Sequence, residues 1–224
     1  MPVPPNHESL STGSGTLARL AAQLAAIGAE ECQAGSGAGR AEAPRPAAVL
    51  VLLSRRADPT VLLTLRSASL RQHAGQVSFP GGAVEPGESA VAAALREAAE
   101  EVGLAPDLVS VLGELPASRI RVSRFAVRIV VGTWDGSARL SPQDPAEVAA
   151  VRLAPLSRLA DPATRVTWRH PRGVSGPGFD LGDLFVWGFT ASVLDAVLSI
   201  GGWERPWDET RQAPVPSRFL PPGG

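Results

Sequence analysis

An α/β (α+β) sandwich, with two helices around a mixed sheet, is the fold class that the sequence predicts. Three observations predict it. Apolar runs of strand length at residues 47–54 and 60–65 flank the turn residues Ala57-Asp58-Pro59-Thr60, which reads as a hairpin. A helical apolar pattern over residues 89–102 ends at Gly103, a residue suited to closing a helix. Strand-length runs then recur at 108–115, 125–131, 148–153, 165–169 and 184–186, before a second helix at about 190–200.

The 224 residues fit one domain with tails. Residues 1–44 are rich in Pro, Ser, Gly and Ala and read as a flexible low-complexity segment with little to fill a core. Inside it, Leu17, Leu20, Leu24 and Ile27 fall at helical spacing and predict an amphipathic helix over 17–31. Residues 45–200 form the expected domain. Residues 201–224, rich in Pro, Trp and Arg without period, read as an extended tail or arm.

Composition excludes several chemistries. All 21 basic residues are arginine, so no Walker A lysine exists and cationic phosphate contacts must come from planar guanidinium groups. The three histidines, His7, His73 and His170, lie in no zinc spacing. Cys32 is the single cysteine, which rules out an intramolecular disulfide. A net charge of −1 gives no reason to expect nucleic acid or an anionic membrane as partner. Residues 184–203 are apolar over nearly a bilayer's span, but Asp195 and Gly188 interrupt them, so a strand leading into a buried helix is expected. The N-terminus lacks a secretory pattern and Pro-Pro-Gly-Gly is no peroxisomal address, so a cytoplasmic location is expected.

The chemistry is concentrated between residues 82 and 104. Glu97, Glu100 and Glu101 stand at i, i+3 and i+4, on one helical face, while Val91, Ala94, Leu95, Ala98 and Val102 supply an apolar face for docking. Three carboxylates so close repel one another, and a hard divalent cation resolves the repulsion. A bare Glu-x-x-Glu-Glu is more often a solvated face. Here Pro80-Gly81-Gly82 adds a tight loop whose backbone can approach a metal or phosphate closely. Glu88 can also reach Arg96 across the corner and hold Glu97 in place.

Together these residues resemble the Nudix box: Gly82, five residues, Glu88, seven residues, Arg96-Glu97, an apolar slot filled by Ala98, one residue, Glu100-Glu101, one residue, Gly103-Leu104. A narrower resemblance lies upstream. Leu62-Leu63-Thr64-Leu65-Arg66-Ser67, Arg71, Gly75 and Phe79-Pro80-Gly81-Gly82 look like the signature of the Nudix subgroup that hydrolyses coenzyme A. Trp187-Gly188-Phe189-Thr190-Ala191 and Glu147-Val148 resemble further subgroup segments, so the likeness covers about residues 45–200. One departure is the arginine-rich stretch of Arg119, Arg121, Arg124 and Arg128 around Phe125. It reads equally as a solvated basic strand and as extra contact with an anionic substrate.

The resemblance implies a Nudix-type α/β/α sandwich with a loop–helix–loop catalytic motif. It implies Glu97 and Glu101 as main ligands of Mg²⁺ or Mn²⁺, Glu100 as third ligand or water-positioning group, and the Gly82 carbonyl as an extra ligand. Glu147 is the candidate base, and Glu88 and Arg96 are structural support. Arg66, Arg71, His73 and Gln76 are candidates for substrate binding. For the arginines an exposed strand end is the plainer reading, and for His73 a satisfied loop histidine. The implied reaction splits CoA, and by extension acyl-CoA, into 3′,5′-ADP and 4′-phosphopantetheine. The alternatives are ADP-ribose or a nucleoside triphosphate as substrate, and, less favoured with all box glutamates present, a non-catalytic nucleotide-sensing module. A small molecule is the expected partner, and a homodimer is the assembly to test for.

Overall fold

The computed structural model describes residues 13–34, 46–115 and 127–220. Arg119, Arg121, Arg124 and Phe125 lie outside the described residues, as do 35–44 of the low-complexity segment and 221–224.

After helix α1 (Gly13–Ala34), strands β1 (Ala47–Ser54) and β2 (Thr60–Arg66) form the expected hairpin, meeting at Leu53 and Val61. Ser54 fixes the turn, its Oγ accepting from the Thr60 amide at 2.9 Å. Two short strands follow, β3 (Val77–Ser78) on β2 and β4 (Gly81–Ala83) on the start of β1, and then helix α2 (Ala90–Val102). Strands β5 (Ser110–Leu115) and β6 (Val127–Trp134) pair antiparallel, and β6 runs parallel to β1 over its whole length. Strand β7 (Val148–Pro155) lines β2 antiparallel. These seven strands make one mixed sheet.

Alternation along β1 divides the core in two. Ala48, Leu50 and Leu52 face Ala93, Ala94, Ala98 and Val102 of α2. Val51 and Leu53 face the other way, into a core shared with Leu17, Leu20 and Leu24 of α1. Helix α4 (Gly188–Gly201) fills the same side with Leu194, Val197 and Leu198. The sheet therefore lies between α2 on one face and α1 with α4 on the other, the α/β/α sandwich expected from the resemblance. Within residues 1–44, the helix expected over 17–31 spans Gly13–Ala34 and packs on the sheet. Leu20 and Leu24 are 0% and 2% exposed, because their helix packs with α4 over the apolar face of the sheet.

A short helix α3 (Leu156–Leu159) leads to a second sheet of β8 (Arg165–Arg169), β9 (Ser175–Asp180) and β10 (Phe185–Val186). The segment after α4 runs back across this sheet, and β11 (Gln212–Pro214) pairs parallel with β8. No helix among the described residues is long and apolar enough to cross a membrane.

Candidate active site

Helix α2 presents the acidic cluster, and its ends are set by local chemistry. Ser89 caps the start, its Oγ accepting from the Ala92 amide at 3.1 Å. Gly103 takes the left-handed conformation (φ 73°) at the end, where other residues are strained. The glycine loop must approach both strand and helix. A Cβ at Gly81 would lie 2.3 Å from the Ala48 carbonyl oxygen, and one at Gly82 would lie 2.3 Å from Glu97 Oε1. Only glycine lets the chain pass between β1 and the Glu97 carboxylate.

Arg96 organises the corner. Its Nε and Nη2 donate to the two Glu88 oxygens at 3.0 and 3.1 Å, and Nη2 also donates to the Ala83 carbonyl at 3.0 Å. Nη1 donates to Glu97 Oε1 at 3.0 Å and Glu100 Oε2 at 3.1 Å. The hydrogen bond from Arg96, and then one from the Glu85 amide, hold the Glu88 carboxyl below its ordinary pKa. Glu88 and Glu97, in that order, raise the pKa of Arg96.

Glu101 stands apart. Burial pushes its pKa up to about 7, with the Glu97 charge adding to the rise. Arg66 pulls the value down, Glu147 pushes it up, and a hydrogen bond from the Gly81 backbone pulls it down slightly. Glu97, Arg66 and Glu147 are thus the charges that Glu101 feels, and the four residues come from three segments: helix α2, the end of β2 and the turn before β7. Glu101 Oε2 and Arg66 Nε are both buried without a hydrogen-bond partner.

A hard divalent cation suits this donor set. A buried carboxylate oxygen lacks a partner, and the adjacent carboxylate repels it when both are ionised; a cation between them would relieve both penalties. Glu100 is not brought into that pair, since its side chain is 59% exposed and held by Arg96. Among the described residues no three acidic, histidine or cysteine side chains converge into a complete cage. Such a partial donor set matches a cation that keeps several waters.

The other sequence candidates separate. Arg66 closes β2, and its amide donates to the Gln76 carbonyl at 2.9 Å, at the neck of the loop 67–76. Glu147 is exposed in the turn before β7, and its carbonyl accepts from the Ser67 amide at 2.8 Å. His73 and Gln76 satisfy one another, with Nδ1 and Oε1 3.1 Å apart, and His73 has φ 57°. Arg71 is exposed on the same loop and has no ion-pair partner among the described residues.

Sequence reasoning missed an aromatic group against this loop. Trp187 stacks with His170 at 6.1 Å and with Phe219 at 6.4 Å between centroids, while Trp168 meets it edge-on at 5.6 Å. Phe219 comes from the segment after α4, and a Cβ at Gly75 would lie 3.7 Å from its ring. No periodicity in residues 201–220 marked it.

Comparison with known proteins agrees with this geometry. Residues 44–174 match the family model of the NUDIX domain. The chain is 42% identical over 166 residues to the Nudix hydrolase NudL of Enterobacter sp. strain 638, covering 70% of this chain and 83% of that protein. Its counterpart in Citrobacter koseri is 43% identical with the same coverage. Among solved structures, the Nudix hydrolase RenU of M. smegmatis superposes with a TM-score of 0.50 at 18% identity, covering 78% of this chain and 96% of that one.

Proposed function

The chain belongs to the Nudix hydrolase family, and from that premise we propose that it hydrolyses the diphosphate bond of coenzyme A, yielding 3′,5′-ADP and 4′-phosphopantetheine. Nudix hydrolases act on small nucleotide derivatives and generally use divalent metals, and the reading adds Mg²⁺ or Mn²⁺ here. One observation supports the substrate. The segment from Leu62 to Gly82, which resembles the CoA subgroup signature, leads from β2 directly to the acidic pair, with Arg66 within electrostatic reach of Glu101.

A diphosphate resists attack because its anionic oxygens repel a nucleophile. Glu97 and Glu101, with the Gly82 carbonyl as further donor, would hold a divalent cation, which would supply charge neutralisation and a more acidic water. Arg96 keeps the Glu97 carboxylate aimed, and Glu88 keeps Arg96 aimed. Arg66 is within electrostatic reach of Glu101 and has an unpartnered Nε, and its proposed part is to grip a diphosphate oxygen. Glu147, exposed at the rim of the same charge group, takes the proton from the attacking water. Glu100, held at the surface by Arg96, positions water or serves as a third ligand. Arg71, with His73 and Gln76 beside it on the loop, meets the more distant part of the nucleotide.

Product chromatography after incubating purified protein with CoA and Mg²⁺ or Mn²⁺ tests the proposal. Appearance of 3′,5′-ADP with 4′-phosphopantetheine is expected. Turnover of ADP-ribose or a nucleoside triphosphate with CoA left intact would overturn the CoA assignment.

A further inference from the structure

The segment after α4 is fixed to the fold at successive points. Trp207 lies on the Arg165 guanidinium, 4.7 Å from ring centroid to Cζ. The Glu209 carbonyl accepts from Thr167 Oγ1 at 2.6 Å, and Arg169 Nε donates to Gln212 Oε1 at 2.8 Å. The Val215 amide donates to the Arg169 carbonyl at 2.9 Å, and the Val215 side chain is buried. A chain anchored this often has little freedom in where it delivers the next turn, Ser217–Phe219. That turn arrives at Gly75 of the loop 67–76, with Phe219 seated against the glycine and against Trp187.

Arg218 is the consequence. Its guanidinium lies with Cζ 4.6 Å from the Phe219 ring centroid. The side chain is exposed, and among the described residues it has no hydrogen bond or ion pair. A guanidinium held over a ring and engaged in no hydrogen bond keeps N–H groups available, and such groups bind a phosphate bidentately. Arg71 stands on the adjoining loop, equally without a counter-ion. Two free guanidinium groups are thus carried on the two segments that meet at Gly75 and Phe219, and the loop that holds Gly75 is closed at its neck by Arg66.

We propose that the C-terminal arm is part of the substrate site and that Arg218 is a specificity-determining contact for a phosphomonoester carried by the substrate beyond its diphosphate. Phe219, stacked on Trp187, is the positioning residue that holds Arg218 there. The inference rests on the CoA reading, because CoA bears such a group, its 3′-phosphate, and dephospho-CoA lacks it while keeping the bond that is cut.

The test measures kcat and KM for CoA and dephospho-CoA with the full-length protein and its Arg218→Ala, Arg218→Lys and Phe219→Ala variants. Arg218→Ala is expected to lower the ratio of kcat/KM for CoA over dephospho-CoA about ten-fold, mainly through KM for CoA. Arg218→Lys should recover part of the ratio, and Phe219→Ala should lower it in the same sense. An unchanged ratio in Arg218→Ala, or an equal loss on both substrates, overturns the inference while leaving CoA hydrolysis standing. Wild-type protein that cleaves neither compound sinks the CoA reading, and this inference with it, before any variant is compared.

Discussion

At Glu101 burial and the neighbouring Glu97 act in one direction, keeping the proton on to about pH 7 rather than the ordinary 4.5. Below pH 4.5 the group is protonated in folded and unfolded chains alike, and it carries no penalty. As pH rises from 4.5 to about 7, the unfolded chain gives up this proton and the folded chain keeps it, so stability falls across that window. The loss amounts to at most on the order of 3 kcal/mol, from about 1.4 kcal/mol per pKa unit. Thermal melts in EDTA should therefore give a lower Tm at pH 8 than at pH 5 from this group, and Glu101→Gln should flatten the difference. A Glu101→Gln protein with the wild-type pH dependence would remove Glu101 as its cause. The same substitution, like Glu97→Gln, should abolish most turnover. Each removes a charge from the proposed metal site, so the loss should exceed the roughly 10–100-fold typical of groups that only support a ligand. Near-normal turnover in folded protein would refute the ligand assignment.

Helix α1 shows what a local reading can and cannot reach. Its periodicity was legible, since Leu17, Leu20, Leu24 and Ile27 mark one face, but the partner that buries this face comes from strands and from α4, far along the chain. Leu20→Ala should cost about 2–5 kcal/mol, as for other fully buried leucines, and denaturant melts would show it. A cost below about 1 kcal/mol would mean that the helix only rests on the surface. Helix α2 was legible for the opposite reason, because Ser89, Gly103 and the apolar face of Ala94, Ala98 and Val102 all lie within one segment. Strand β9 was not read from Ser175 to Asp180, where Gly176, Pro177 and Gly178 argue for a loop. The strand exists because Trp168 covers it: a Cβ at Gly176 or Gly178 would come within 3.2 or 3.0 Å of that indole. Within the site, the acidic residues and Arg96 were legible from spacing. The separation of Glu100 from Glu101 was not, since it follows from Arg96 selecting the more exposed of the two carboxylates.

Across the whole molecule, Arg165 ties the second sheet to the helix layer and to the arm. It sits on β8, is 1% exposed, pairs through Nη2 with Asp195 of α4, and lies against the rings of Phe179 on β9 and Trp207 on the arm. Four separate stretches of chain thus meet on one guanidinium. A buried cation held this way depends on its single counter-charge, and breaking such a pair by removing one partner typically costs about 3–5 kcal/mol. Asp195 is itself part-exposed, so water can replace some of the lost interaction, and the lower end of that range is expected for Asp195→Ala. The distribution of the damage is more informative than its size. Trp207 rests on the same guanidinium, so the arm from Trp207 to Phe219 should loosen along with it. The acidic pair on α2 is held separately, by Arg96 and the glycine loop on the opposite face of the large sheet, and should keep its arrangement. Hydrogen exchange of the Asp195→Ala protein should therefore accelerate at the Thr167 and Val215 amides, which bond between β8 and the arm. Amides of α2 should remain protected at the wild-type level, and Mn²⁺ affinity should change little. If α2 and the arm lose protection together, the two halves of the site are one cooperative unit, and Arg165 holds the domain as a whole rather than the arm that reaches the loop 67–76.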